Sequence, residues 1–144
     1  MKEYQKEVDL RWSDLDPNFH LRHSVYYDFG AYCRICYLEE HGLSSAKMME
    51  LHFGPILFRE EAVFRKEIRL GDKLFINLKV LKARKDFSRW SIRHEVLKEG
   101  GILSATLTVD GAWINTSLRK LATPPALVSE VFETMPKDPE FQWL

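Results

Sequence analysis

Two periodicities divide this chain, and they divide it unequally. Between Ser24 and Gly42 apolar residues return every three or four positions, at Val25, Phe29, Tyr32 and Cys36, with the next place on that face at Leu38 or Glu39. That spacing predicts one long amphipathic helix, with Ser24 as its cap and Gly42 as its terminator. After His52-Phe53-Gly54-Pro55 the period falls to two. Residues 56–69, 73–83, 88–98 and 102–116 each alternate at least in part, as half-buried strands do. Gly71-Asp72, Arg84-Lys85-Asp86 and Glu99-Gly100-Gly101 mark the turns between them. Strands joined by turns this short pair antiparallel. A further strand over 4–12, with Val8, Leu10 and Trp12 on one face, precedes the helix. Thr123-Pro124-Pro125 closes the strand region. Residues 126–134 read as a short helix and the tail after Pro136 as loose chain. One helix laid on one face of an antiparallel sheet is an α+β layer arrangement.

Composition narrows the function. The 144 residues suit a single domain over 1–144, and 45% hydrophobic content is enough for one core. Lys+Arg and Asp+Glu both number 21, so there is no basic field to attract nucleic acid. No run approaches the roughly 20 apolar residues of a membrane span. Residues 1–7 contain no apolar signal-peptide segment, so a cytoplasmic protein is expected. Cys33 and Cys36 lie within the helical pattern and no second pair exists. They read as buried thiols, not as a metal or redox pair. The second face of the sheet has no covering layer within the chain, so subunits that join sheets edge to edge or face to face are expected.

The chemistry concentrates where the first strand hands over to the helix, in Asp14-Leu15-Asp16-Pro17-Asn18-Phe19-His20-Leu21-Arg22-His23. The first N–H groups of a helix lack internal partners and favour negative charge. A carboxylate beside such a terminus can serve as base or nucleophile while amides hold a developing oxyanion, the needs of acyl transfer. Asp14 and Asp16 both also suit turns, because Asp bonds its own backbone in loops. Asp16, His20 and His23 lack the further ligand a zinc site needs, so no metal is expected. His41, His52 and His94 read as surface or rim residues.

These residues, in this order, resemble the hotdog-fold acyl-CoA thioesterases, in particular the 4-hydroxybenzoyl-CoA thioesterase-like group. The matching segments are 11–18 at the end of the first strand, Tyr26 ten residues after Asp16, Leu38-Glu39-Glu40-His41-Gly42-Leu43 at the helix end, and 64–72 leading into Gly71-Asp72. The resemblance covers about 4–125. It implies an antiparallel sheet wrapped around a central helix, in homodimers or homotetramers, hydrolysing an acyl-CoA without a cofactor. It implies Asp16 as the catalytic carboxylate, His23 as a helper in orientation or proton transfer, and backbone N–H groups of Phe19, His20 and Leu21 as oxyanion donors. Tyr26, Arg84, Lys85 and Ser88 would contact substrate, the last three near the coenzyme A phosphates.

Two departures stand out. Many relatives carry Gly where Phe19 stands, so Phe19 is expected to reshape or narrow the acyl pocket. Relatives often carry an acid in the helix where this chain has Gly30-Ala31-Tyr32. Both departures favour, as the alternative, a non-catalytic protein that binds acyl-CoA or an acyl carrier. A hotdog hydratase is disfavoured by spacing, since Phe19 and not His stands five residues after Asp14.

Overall fold

The computed structural model describes residues 3–144. β1 (Gln5–Val8) runs into a single 3-10 turn at Trp12–Asp14 and then, through a loop, into α1 (Val25–Glu40). α2 (Ser45–Glu50) follows, then β2 (Phe53–Phe64), β3 (Leu74–Asn77), β4 (Lys79–Ala83), β5 (Arg89–Lys98), β6 (Ile102–Asn115) and β7 (Lys120–Leu121). α3 (Ala126–Thr134) and β8 (Lys137–Trp143) complete the chain. β1 pairs with β3, β3 and β4 with β5, β5 with β6, and β6 with β2, all antiparallel. The sheet curls around α1.

α1 buries Val25, Tyr26, Phe29, Gly30, Cys33, Tyr37 and Leu38. This stripe differs from the expected one at two places, since Tyr32 is exposed and Cys36 half-buried while Cys33 and Tyr37 turn inward. Burial of each large side chain contributes about 1.5–3 kcal/mol. Burial also pushes the Cys33 thiol up to about 12, so it is inert at neutral pH. The expected terminator is in place. Gly42 has φ 91°, the Leu43 N–H reaches the Leu38 carbonyl at 2.8 Å, and the Gly42 N–H reaches that of Glu39. This pair of bonds is the Schellman closure that the left-handed glycine permits. Ser24 sits at the cap position but does not cap; its hydroxyl accepts from Arg22 Nε instead.

Several sheet boundaries differ from the sequence expectation. The first strand stops at Val8, because the 3-10 turn takes Trp12 out to solvent. The expected strand over 73–83 is interrupted after Asn77. Asn77 Oδ1 accepts the Glu95 N–H in place of a backbone carbonyl, and its own carbonyl accepts from the His94 ring. α2 has only a weak sequence pattern and is secured by the Ser44 hydroxyl accepting from the Lys47 N–H. The tail is not loose. β8 pairs parallel with β4, Val80 opposite Lys137 and Ala83 opposite Trp143, and Asp138 accepts from Arg93. The reversal at α3, which packs Phe132 on Phe87, Trp90 and Trp113, gives β8 its parallel sense.

β2 is an edge strand. Among the described residues it pairs only with β6, and Ile56, Leu57, Phe58, Val63 and Phe64 are exposed along its 12 residues. Phe53 and Ala62 still pack on the core and Phe64 packs on Tyr26, so the strand is only partly covered within this chain.

Candidate functional site

The loop that carries the acids is braced from inside by one of them. The Asp14 carboxylate, 2% exposed, accepts from the Arg11 N–H and from the Arg11 guanidinium, each at 3.0 Å. The guanidinium hydrogen bond holds Asp14 below the usual carboxylate range. Its carbonyl accepts from the Arg22 N–H, so Asp14 ties the two ends of the loop together. It is a turn residue.

Asp16 differs. The chain from Leu15 to Leu21 doubles back, with the Asp16 N–H on the His20 carbonyl at 2.8 Å. Asp16 Oδ1 accepts two backbone amides, Asn18 at 2.8 Å and His20 at 3.1 Å. Among the described residues Oδ2 has no hydrogen-bond donor. One oxygen positions the carboxylate, and the other is left for a ligand. Asp16 borders a cavity of about 310 Å³ that His20, Leu21, His23, Tyr26 and the strand-end residues 64–67 also line. The Tyr26 ring packs edge-on against Phe64 at 4.9 Å. Burial, and after it the Asp16 charge, pushes its hydroxyl up to about 12, so it stays a donor. His20 Nε2 lies 2.7 Å from Glu67.

The structure thus gathers Asp16, His20, Leu21, His23 and Tyr26 around one cavity. The oxyanion assignment needs correction. The Phe19 N–H donates to the Asp16 carbonyl, that of His20 to Asp16 Oδ1, and that of Leu21 to the Ile68 carbonyl at 2.7 Å. These three amides hold the loop and are not available. Among the described residues the N–H groups of His23, Ser24 and Tyr26 have no acceptor, and they lie at the start of α1. Phe19 is also corrected. Its φ of 63° is left-handed, which explains why glycine suits the position. Its ring is 75% exposed and does not line the cavity, so it does not narrow it.

Arg84 and Ser88 border a separate cavity of about 200 Å³ that Arg89 also lines, while Lys85 is exposed outside it. This second site lies at the far end of the sheet. Phe64 pairs with Ala105 and Arg89 with Ala112, positions on β6 roughly 23 Å apart at the rise of a strand.

Sequence reasoning missed Phe64, Arg65, Lys66 and Glu67 as cavity residues. Their signal was the break in alternation after Phe64. It also missed a third, mostly apolar cavity of about 190 Å³ beneath α1, bordered by Arg34, Leu57, Trp90, Trp113, Phe132 and others. His94 stands behind it, fully buried rather than at a rim. Its Nδ1–H donates to the Asn77 carbonyl at 2.7 Å, so Nε2 is the acceptor for Arg34 Nη1 at 3.0 Å. Among the described residues no three His, Cys, Asp or Glu side chains gather as a metal site requires, and no helix is long and apolar enough to cross a membrane.

A curled antiparallel sheet around one central helix is the hotdog architecture. Solved structures share it across nearly the whole chain. A hypothetical protein of Staphylococcus aureus, solved in complex with CoA, superposes with a TM-score of 0.84 at 19% identity, over 95% of this chain and 88% of that one. A 1,4-dihydroxy-2-naphthoyl-CoA thioesterase from Synechocystis gives 0.81 at 18%, over 92% and 97%. A Thermus thermophilus thioesterase, solved with coenzyme A and Zn, gives 0.74 at 25%, over 90% of each chain. No curated protein sequence matches. Residues 10–132 match the family model of the thioesterase-like superfamily, and the chain belongs to that superfamily.

Proposed function

We propose that this protein hydrolyses an acyl-CoA thioester to a free acid and coenzyme A, with Asp16 as the reacting carboxylate. The observation that carries the reading is the asymmetry of Asp16, which borders a cavity beside the start of α1: Oδ1 is fixed by two amides, and among the described residues Oδ2 has no partner. Asp16 either attacks the thioester carbonyl or takes a proton from the attacking water, and both routes use Oδ2. The tetrahedral oxyanion is received by the unpaired N–H groups at His23, Ser24 and Tyr26. Collapse expels the coenzyme A thiolate; on the water route it gives the free acid directly, and on the attack route it leaves a mixed anhydride on Asp16 that a water then hydrolyses to the free acid. His23, exposed at the cavity, is placed to supply or relay the thiolate's proton. The two CoA-containing neighbours and the Synechocystis enzyme support this substrate class.

The active unit in this reading is a homodimer joined through the open edges of β2, which hydrophobic exposure along that strand supports. Antiparallel pairing about a two-fold axis sets the Phe64 end of one strand beside the Ile56 end of the other. The Asp16 cavity of one copy then adjoins the Arg84–Ser88 region and the cavity beneath α1 of its partner. A single chain keeps these at opposite ends of its sheet. Two copies complete the site, with the Arg84 and Arg89 guanidiniums near the coenzyme A phosphates.

The test is thiol release from a panel of acyl-CoAs by the wild type and by Asp16→Asn. Asn keeps the Oδ1 acceptor for Asn18 and His20, so the loop persists while the charge is lost. Hydrolysis that falls about 10²–10⁴-fold supports the reading; no turnover by the wild type, with acyl-CoA still bound, would favour the non-catalytic alternative.

A further inference from the structure

The cavity beneath α1 is mostly apolar but not neutral. Leu38, Leu57, Ile92, Trp90, Trp113 and Phe132 supply the apolar part of its wall, and Arg34 enters among them. The guanidinium reaches inward because Gly30 precedes it by one turn. A Cβ at Gly30 would stand 3.2 Å from Arg34 Nη1 and 3.3 Å from His94 Cδ2. Nη1 is bonded to His94 Nε2, a neutral acceptor. Among the described residues no carboxylate lies within 4 Å of Arg34 to form an ion pair. Glu60, on exposed β2, is the acid whose charge reaches it, without contact. The rings of Trp90 and Trp113 each carry a buried indole N–H without an acceptor. Among the residues that line this pocket Arg34 is the one with a charged side chain. Arg34 is half-buried, so its cation bears part of the desolvation cost of a charge without a counter-ion, and a ligand that supplies an anion offsets that cost.

We propose that this cavity receives an acyl group whose far end bears a carboxylate, with the Arg34 guanidinium as its counter-ion. The inference rests on the thioesterase reading for the word acyl, and on the pocket alone for the anion. A volume of about 190 Å³ holds a group somewhat larger than a benzene ring. The acyl group is therefore short, on the order of five or six carbons or one ring. The apolar walls bind its middle, and Arg34 selects its end. A neutral acyl group of equal length leaves the guanidinium unpaired and binds less well.

The experiment compares two thioesters of equal length, glutaryl-CoA and pentanoyl-CoA, with the wild-type protein and with Arg34→Met, which keeps most of the side-chain volume. The wild type is expected to favour glutaryl-CoA in kcat/KM by roughly tenfold or more, and Arg34→Met to lose that preference or reverse it. Equal rates for the two thioesters in the wild type, or a preference that survives in Arg34→Met, overturn the proposal. A second pair separates this inference from the activity. Calorimetry with 3-phenylpropionate and 3-phenylpropanol should show at least tenfold tighter binding of the acid, and loss of that difference in Arg34→Met. If neither thioester is hydrolysed but the acid is still preferred through Arg34, the activity reading fails and the anion pocket stands. If thioesters are hydrolysed without that preference, the reverse holds. Arg34→Gln, which keeps a donor for His94, replaces Arg34→Met if the latter does not fold.

Discussion

Replacing His94 with Gln is expected to flatten the dependence of stability on pH between 7 and 5. In the folded protein His94 is fully buried. Arg34 donates to its Nε2, Asn77 accepts from its Nδ1, and Gly30 closes over Cδ2. Burial first, and the Arg34 charge second, push its pKa from 6.5 down to about 3. A base whose folded value is depressed binds fewer protons folded than unfolded. Its contribution is therefore fully present above pH 6.5 and is lost progressively as pH falls toward 3. From pH 7 to pH 5 the loss works out at about 2 kcal/mol for one such group. For a chain of this size that is about 1 M in the urea midpoint. Other groups titrate over the same range, so the quantity to compare is the pH 7 to pH 5 difference in the wild type minus that in His94→Gln. An excess of about 2 kcal/mol in the wild type is expected. Equal pH dependence in the two proteins would refute the reasoning. NMR offers a direct check: the His94 ring should not titrate between pH 8 and 5.

Two further outcomes follow from the packing. A Cβ at Gly111 would fall 2.4 Å from Trp90 Cη2 and 2.8 Å from the Ile56 carbonyl; Gly111→Ala should cost about 3 kcal/mol by urea unfolding, with red-shifted tryptophan emission, because the backbone side of the clash cannot yield. The open β2 edge should make the full chain sediment as two copies at micromolar concentration, and a lone protomer would contradict the two-copy site.

The helix and the strands β2, β5 and β6 were legible because each declares itself in a local period, whereas the break that divides β3 from β4 at Asn77 was not. Gly42 in particular marks its boundary through a conformation few other residues take. What was not legible depends on distant partners. β8 alternates no better than a loop, and it is a strand only because β4 has an open side. The inward turn of Cys33 and Tyr37, in place of Cys36 and Tyr32, depends on how α1 rolls against the sheet, which a 3.6-residue period does not settle. At the site, Asp16, His23 and Tyr26 came from a motif and meet at one cavity. The amides of Phe19, His20 and Leu21 were misassigned because sequence order shows which N–H groups are near, not which are already bonded. Arg34 and His94 were missed because they lie 60 residues apart and meet only through a gap left by Gly30.

Single-turnover thioester cleavage by Asp16→Asn, beside the wild type and with acyl-CoA binding measured on both, tests the account most directly. The account predicts active wild-type protein, binding within a few-fold in the variant, and cleavage slowed about 10²-fold or more. Cleavage by the variant at the wild-type rate would contradict it.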